Sequence, residues 1–233
     1  MTMLTPRDRL IVALDLPSVE DAEAMAASLG DAVSFYKIGL QLFPVGAAEF
    51  ARRLSDAGRN VFLDFKLLDI GATVEKATRS IRQLNVDFLT VHADQAAVAA
   101  AAQGRGDDER LKILAVTVLT SQDQEAIERA GYQMSVEDLV LRRADIALQA
   151  GADGLVASPH EAAALRARFG DEFEIVTPGV RPAGAATGDQ KRVATPAEAL
   201  KAGATRLVVG RPITEAAEPA AAARAILTEM AET

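Results

Sequence analysis

The stretch AGADGLVAS (residues 150–158) returns later in the chain as AGATRLVVG (residues 202–210). Each copy reads as the end of a helix, a glycine that stops it, and a new buried strand. Outward from this pair the same alternation runs through the whole chain. Apolar, β-branched runs occur at Arg9–Leu16, Val33–Leu40, Asn60–Leu67, Val86–Ala93, Leu111–Leu119, Gly154–Pro159, Phe173–Val180 and Arg206–Ile213. Segments of helical period separate them. In SVEDAEAMAASLG (residues 18–30), Ser18 is placed to cap a helix, Glu20 and Asp21 put acids at its positive end, and Gly30 stops it. Near-continuous apolar strands alternating with helices define a parallel sheet buried on both faces. Eight such units, with no low-complexity linker between them, predict an α/β fold. The expectation is a single (β/α)8 TIM barrel spanning residues 1–233, in preference to a doubly wound sheet.

Composition narrows the function classes. The chain has 233 residues and is 49% hydrophobic but only 4% aromatic, with no tryptophan, so its core is aliphatic and alanine-rich. A net charge of −8 argues against nucleic acid as the main partner, yet leaves room for a small phosphorylated ligand held by one or two local cations. The absence of cysteine excludes a disulfide framework and a thiolate metal site. No apolar run is long enough to cross a bilayer, and the first residues do not resemble a signal peptide. A cytoplasmic protein without a membrane partner is expected.

In a barrel of this kind, chemistry belongs at the C-terminal strand ends. Asp15, Lys37, Asp64, Lys66, His92, Thr120, Ser158 and Pro178 all fall late in their runs or just beyond them, and Arg181 and Arg211 follow similarly. The charged stretch is VFLDFKLLDI (residues 61–70). Asp64 and Lys66 are two apart, so on a strand they share a face. Asp69 stands at an odd offset from Asp64 and is expected to open the following loop, free to reach elsewhere, including a neighbouring subunit. A lysine among carboxylates stays protonated. It is then a poor nucleophile, but suited to stabilise a developing carbanion and deliver a proton to it. Lys37 and Asp15 extend this into an alternating array. The plainer alternatives are a structural ion pair for Asp64–Lys66 and a helix cap for Asp15. His92 and His160 are read as structural.

A second cluster joins TPGVRP (residues 177–182) to VVGRPI (residues 208–213), at the ends of the last two strands, where barrels commonly hold phosphate. Gly210 would admit a phosphate close to the backbone, Arg211 could bind it through two N–H groups, and Pro212 suits a first helical turn. A turn with a surface arginine is the alternative. Between these segments, RPAGAATGDQKR (residues 181–192) reads as a loop able to close over a ligand, with Gln190 near its far end.

Taken together, ALDL (13–16), YKIGL (36–40), DFKLLDI (64–70), VLTS (118–121), the TPGVRP…GDQKRVATP segment and VVGRPI resemble the orotidine 5′-phosphate decarboxylases of the compact bacterial type, over nearly the whole chain. The resemblance implies conversion of orotidine 5′-phosphate to uridine 5′-phosphate, a step of pyrimidine biosynthesis, with no metal or organic cofactor. It implies that Lys66 protonates the C6 carbanion and that Asp64 lies beside the departing carboxylate. Lys37 would bridge Asp64 and the ribose, and Asp15 would bind a ribose hydroxyl. Thr120 would contact the pyrimidine, while Pro178, Arg181, Gln190, Gly210 and Arg211 serve the phosphate end. Asp69, with Ile70 beside it, would enter the partner's site in a homodimer, and Thr73 matches a substrate-proximal position. One departure is Gly71, where many relatives carry proline. Metal-dependent sugar-phosphate relatives share the Asp-x-Lys-x-x-Asp element but carry an acidic ligand where Lys37 stands. A non-catalytic nucleotide sensor is a third reading, which the intact Asp64, Lys66 and Asp69 disfavour.

Overall fold

A computed structural model describes residues 4–182 and 194–232. Eight parallel strands close into a barrel in sequence order: β1 (Leu10–Ala13), β2 (Phe35–Gly39), β3 (Asn60–Leu67), β4 (Phe88–His92), β5 (Lys112–Val116), β6 (Gly154–Val156), β7 (Glu174–Thr177) and β8 (Arg206–Val209). The closing pair sets Leu10 against Leu207 and Val12 against Val209. Helices follow the strands, from Val19–Leu29 after β1 to Pro219–Ala231 after β8. The (β/α)8 barrel expected from the alternation is therefore the architecture. Most strands are shorter than their apolar runs, whose last residues pass into the loops and helix starts that follow.

Local chemistry explains the elements. Ser18 caps the Val19–Leu29 helix by accepting from the Asp21 N–H at 3.1 Å, and Gly30 ends it at φ 52°. Asp15 is thus not that helix's cap. In the repeated segments, Gly151 and Gly203 take φ values of 98° and 108°, which only glycine adopts at no steric cost, and β6 and β8 begin three residues later.

Strand parity divides the core in two. Ile11, Ala13, Phe35, Phe62, Phe88, Leu114, Val176 and Val208 fill the barrel interior, while Leu10, Val12, Tyr36, Ile38, Val61, Leu63 and their counterparts pack outward against the helices. With both faces buried, the strands read as continuous apolar runs. The N-terminal end of the barrel is closed by Phe35 and Phe88, with ring centroids 5.1 Å apart, and by the Arg206 guanidinium over both rings. That packing leaves the opposite end as the one open to ligand.

Candidate active site

Four charged side chains form a chain across the mouth. Lys37 Nζ lies 2.9 Å from Asp15 Oδ1 and 3.5 Å from Asp64 Oδ2, and Lys66 Nζ lies 2.7 Å from Asp64 Oδ1. Signs alternate from Asp15 to Lys66. Parallel pairing produces the first link, since Leu14 N–H donates to the Lys37 carbonyl and so holds Asp15 beside β2. Gly39 makes room for it. A methyl group there would stand 2.4 Å from Asp15 Oδ1 and 2.9 Å from Lys37 Nζ. Lys37 is buried, so its ammonium depends on these carboxylates to offset lost hydration. Asp64 feels opposing influences. Burial pushes its carboxyl upward, but Lys37, Lys66 and the hydrogen bonds from Lys66 and Thr90 outweigh burial and hold it below the usual carboxylate range.

The Asp64–Lys66 contact arises less simply than alternation implies. Lys66 has φ 50°, in the left-handed region, and the β3–β4 register slips between Leu63 and Leu67. The pair meets as expected, but through a kinked strand end. Backbone strain of about 1–3 kcal/mol at a side chain of this kind is characteristic of functional sites.

Beside this chain lies a cavity of about 500 Å³. Of the sequence-predicted residues, it takes in Asp15, Lys37, Asp64, Lys66, Thr120, Pro178, Arg181, Gly210 and Arg211. Two guanidiniums approach each other at the β7–β8 side. Burial, and then the charge of Arg211, pull Arg181 below the ordinary guanidinium value. Like charges brought together in a cavity favour an anion between them. Gly210 lines the cavity, and a methyl there would only touch Ala13 at ordinary contact distance. Val180 and Arg181 bridge to Ala194, and Gln190 lies outside the described residues.

Other expectations fall elsewhere. Asp69 and Ile70 are exposed in the loop after β3, and Thr73 is exposed at the start of the Gly71–Arg82 helix; none lines this cavity. Asp69 Oδ1 accepts from the Ile70 N–H at 2.6 Å. His92 and Ser158 do not join the mouth, contrary to the convergence read from the runs. Ser158 is buried in a capping box with Glu161 at the head of the Pro159–Phe169 helix. His92 faces a separate cavity with Leu68, Tyr132 and Arg143, and His160 is exposed. Sequence reasoning missed the apolar lining of Leu16, Phe62, Val116, Val156 and Val208, which is indistinguishable from core in the sequence. It also missed Gly39 and Thr90, whose only signal was their place near the ends of β2 and β4.

A closed parallel barrel with acids, lysines and arginines gathered at its C-terminal mouth defines a (β/α)8-barrel enzyme with a site for an anionic small molecule. The family model described as orotidine 5′-phosphate decarboxylase / HUMPS family matches residues 8–226, and the chain belongs to that family. The chain is 57% identical to the orotidine 5′-phosphate decarboxylase of Rhodopseudomonas palustris strain BisA53, over 96% of this chain and 95% of that protein. It is 54% identical to the enzyme of the same name from Bradyrhizobium diazoefficiens, over 98% and 96%. Among solved structures, the orotidine 5′-phosphate decarboxylase of Lactobacillus acidophilus matches with a TM-score of 0.85 at 36% identity, covering 96% of this chain and 99% of that one.

Proposed function

We propose that this protein decarboxylates orotidine 5′-phosphate to uridine 5′-phosphate in pyrimidine biosynthesis, with Lys66 as the proton donor and no cofactor. The observation that carries this reading is the Asp15–Lys37–Asp64–Lys66 chain beside a cavity that ends in Arg181 and Arg211. Phosphate occupies the arginine end, with Pro178 and Gly210 alongside, and Thr120 meets the pyrimidine. Asp15 and Lys37 hold the ribose. This orientation directs the substrate carboxylate toward Asp64 and C6 toward Lys66. The C6–carboxylate bond breaks, its electron pair stays on C6, CO₂ departs, and an Nζ proton of Lys66 forms the new C6–H bond. A fixed ammonium stabilises the carbanion as it develops, which lowers the barrier rather than merely tightening binding. Phosphate binding far from C6 helps to organise the reacting end.

Lys37 bears on the cofactor. Its ammonium lies between Asp15 and Asp64, where a divalent ion would otherwise be shared, and its charge opposes a metal there. The exposure of Asp69 supports a homodimer in which Asp69, Ile70 and Thr73 face the partner's site. Leu68 and Ile70 flank Asp69 and are 60% and 77% exposed, and Leu40 and Phe43 in the loop after β2 are similarly uncovered. Apolar side chains exposed in such number next to a mouth favour a protein partner. No helix among the described residues is long and apolar enough to cross a membrane, and a soluble nucleotide substrate suits the cytoplasm.

Purified protein kept in EDTA is expected to consume orotidine 5′-phosphate, followed by its ultraviolet absorbance, at the rate seen without chelator. Absence of turnover at any substrate level overturns the reading. Turnover only after Mg²⁺ is added would instead favour the metal-dependent chemistry of related barrels.

A further inference from the structure

Thr90 lies in β4, is fully buried, and is not among the cavity-lining residues. Its hydroxyl makes two bonds of opposite sense. It donates to Asp64 Oδ1 at 2.9 Å and accepts from the Lys66 backbone N–H at 3.0 Å. Lys66 Nζ in turn donates to the same Asp64 Oδ1 at 2.7 Å. Three residues thus form a closed circuit in which a single oxygen touches both the carboxylate and the main chain of the lysine.

The circuit sits at the irregularity in the barrel. On β3, Leu63 pairs with Leu89 and Leu67 with Val91, so four steps along β3 face only two along β4. Along regular β3 the Asn60 N–H donates to the Ser34 carbonyl on the β2 side, while the Val61 carbonyl accepts from Asp87 on the β4 side. An unslipped Lys66, at even offset from Asn60, would turn its N–H toward β2; the slip turns it instead to the Thr90 hydroxyl of β4. At the same residue φ is 50°, a conformation that a lysine holds only when its surroundings impose it. A hydroxyl can donate once and accept at the same time, so threonine or serine can close the circuit, whereas valine and alanine cannot.

We propose that Thr90 is a positioning residue for the decarboxylation. Its hydroxyl locks the left-handed turn at Lys66 and the orientation of Asp64, and thereby aims the ammonium at the reacting carbon. This rests on the function proposed above. Small displacements of a reacting group cost far more in rate than in binding, because alignment matters only as the bond breaks.

The test compares Thr90→Val, Thr90→Ala and Thr90→Ser with the unaltered protein. Thr90→Val is expected to lower kcat by about 10- to 100-fold, the scale of a misplacement of about 1 Å. KM for orotidine 5′-phosphate and the affinity for uridine 5′-phosphate are expected to stay within about 3-fold, the pattern of a lost transition-state interaction. Thr90→Ser should recover most of kcat. Amide hydrogen exchange at Lys66, read without substrate, should accelerate in the Val and Ala variants and not in Ser. Unchanged kcat in Thr90→Val, an equal loss in Val and Ser, or a loss confined to KM overturns the proposal. So does failure of both apolar variants to fold, since the hydroxyl would then be a requirement of the fold. If the unaltered protein shows no turnover, the function fails; unchanged Lys66 exchange in Thr90→Val then overturns the positioning role separately.

Discussion

His92 shows how the site's charges reach beyond its cavity. It ends β4, two residues from Thr90, and burial, then the positive charges of Lys66 and Arg143, pull its pKa below the ordinary value. Each favours neutral imidazole, so the folded protein binds this proton less readily than the unfolded chain. Below about pH 6.5, the ordinary histidine value, the unfolded state gains protons that the native state refuses, and stability falls with pH until the folded value is passed. A nuclear magnetic resonance titration is expected to give His92 a midpoint below about 6.5. Lys66→Ala should move that midpoint upward by removing one of the repelling charges. A midpoint at or above the ordinary value, or one indifferent to Lys66→Ala, would contradict the charge arrangement at the mouth. His92 thus feels the charge of Lys66 without lining the cavity beside it.

Among the elements, the Gly71–Arg82 helix is held by close packing against the Gln95–Arg105 helix. It follows the loop holding Asp69 and Ile70, so its seating governs where that loop is presented. Gly104, inside the Gln95–Arg105 helix, permits that seating: a methyl there would stand 2.4 Å from the Glu75 carbonyl oxygen and 2.9 Å from Thr78 Cβ. Helix propensity alone would favour alanine at Gly104 by about 1 kcal/mol. Overpacking against backbone costs typically about 1–3 kcal/mol, and the larger penalty decides the sign. Gly104→Ala is therefore expected to destabilise the fold in urea denaturation, and a gain in stability would show that the helices have slack. In the sequence this glycine looks like a flaw in an alanine-rich helix, because its reason lies on a neighbouring helix.

At the scale of the molecule, each barrel mouth has Asp64 and Lys66 together but presents Asp69 away from its own cavity. If Asp69 completes the partner's site, mixing Lys66→Ala protein with Asp69→Ala protein should restore activity through hybrid dimers. One site of each hybrid then has both groups intact. With random exchange of equal amounts, about half the dimers are hybrid and each carries one working site, so activity should approach about a quarter of normal. Proven subunit exchange without recovered activity would place the role of Asp69 within its own subunit.

The alternation of apolar runs and helical segments was enough to predict a parallel sheet buried on both faces. The count of eight units in one chain of this length favoured the barrel over a doubly wound sheet, which buries its strands equally well. The chemistry of the mouth was legible too: Asp15, Lys37, Asp64, Lys66, Arg181 and Arg211 are charges that fall late in the apolar runs or just beyond them. Tertiary structure decided how they meet. The slip between β3 and β4, the left-handed Lys66, the Thr90 hydroxyl that accepts its N–H, and the space at Gly39 all depend on the neighbouring strand. Ser158 left the expected mouth for a local reason, its capping box with Glu161, whereas His92 faces the separate cavity beside Leu68 and Arg143. Sequence periodicity specifies which face a side chain takes within its own element, whereas register between strands is set by the packing of the closed barrel.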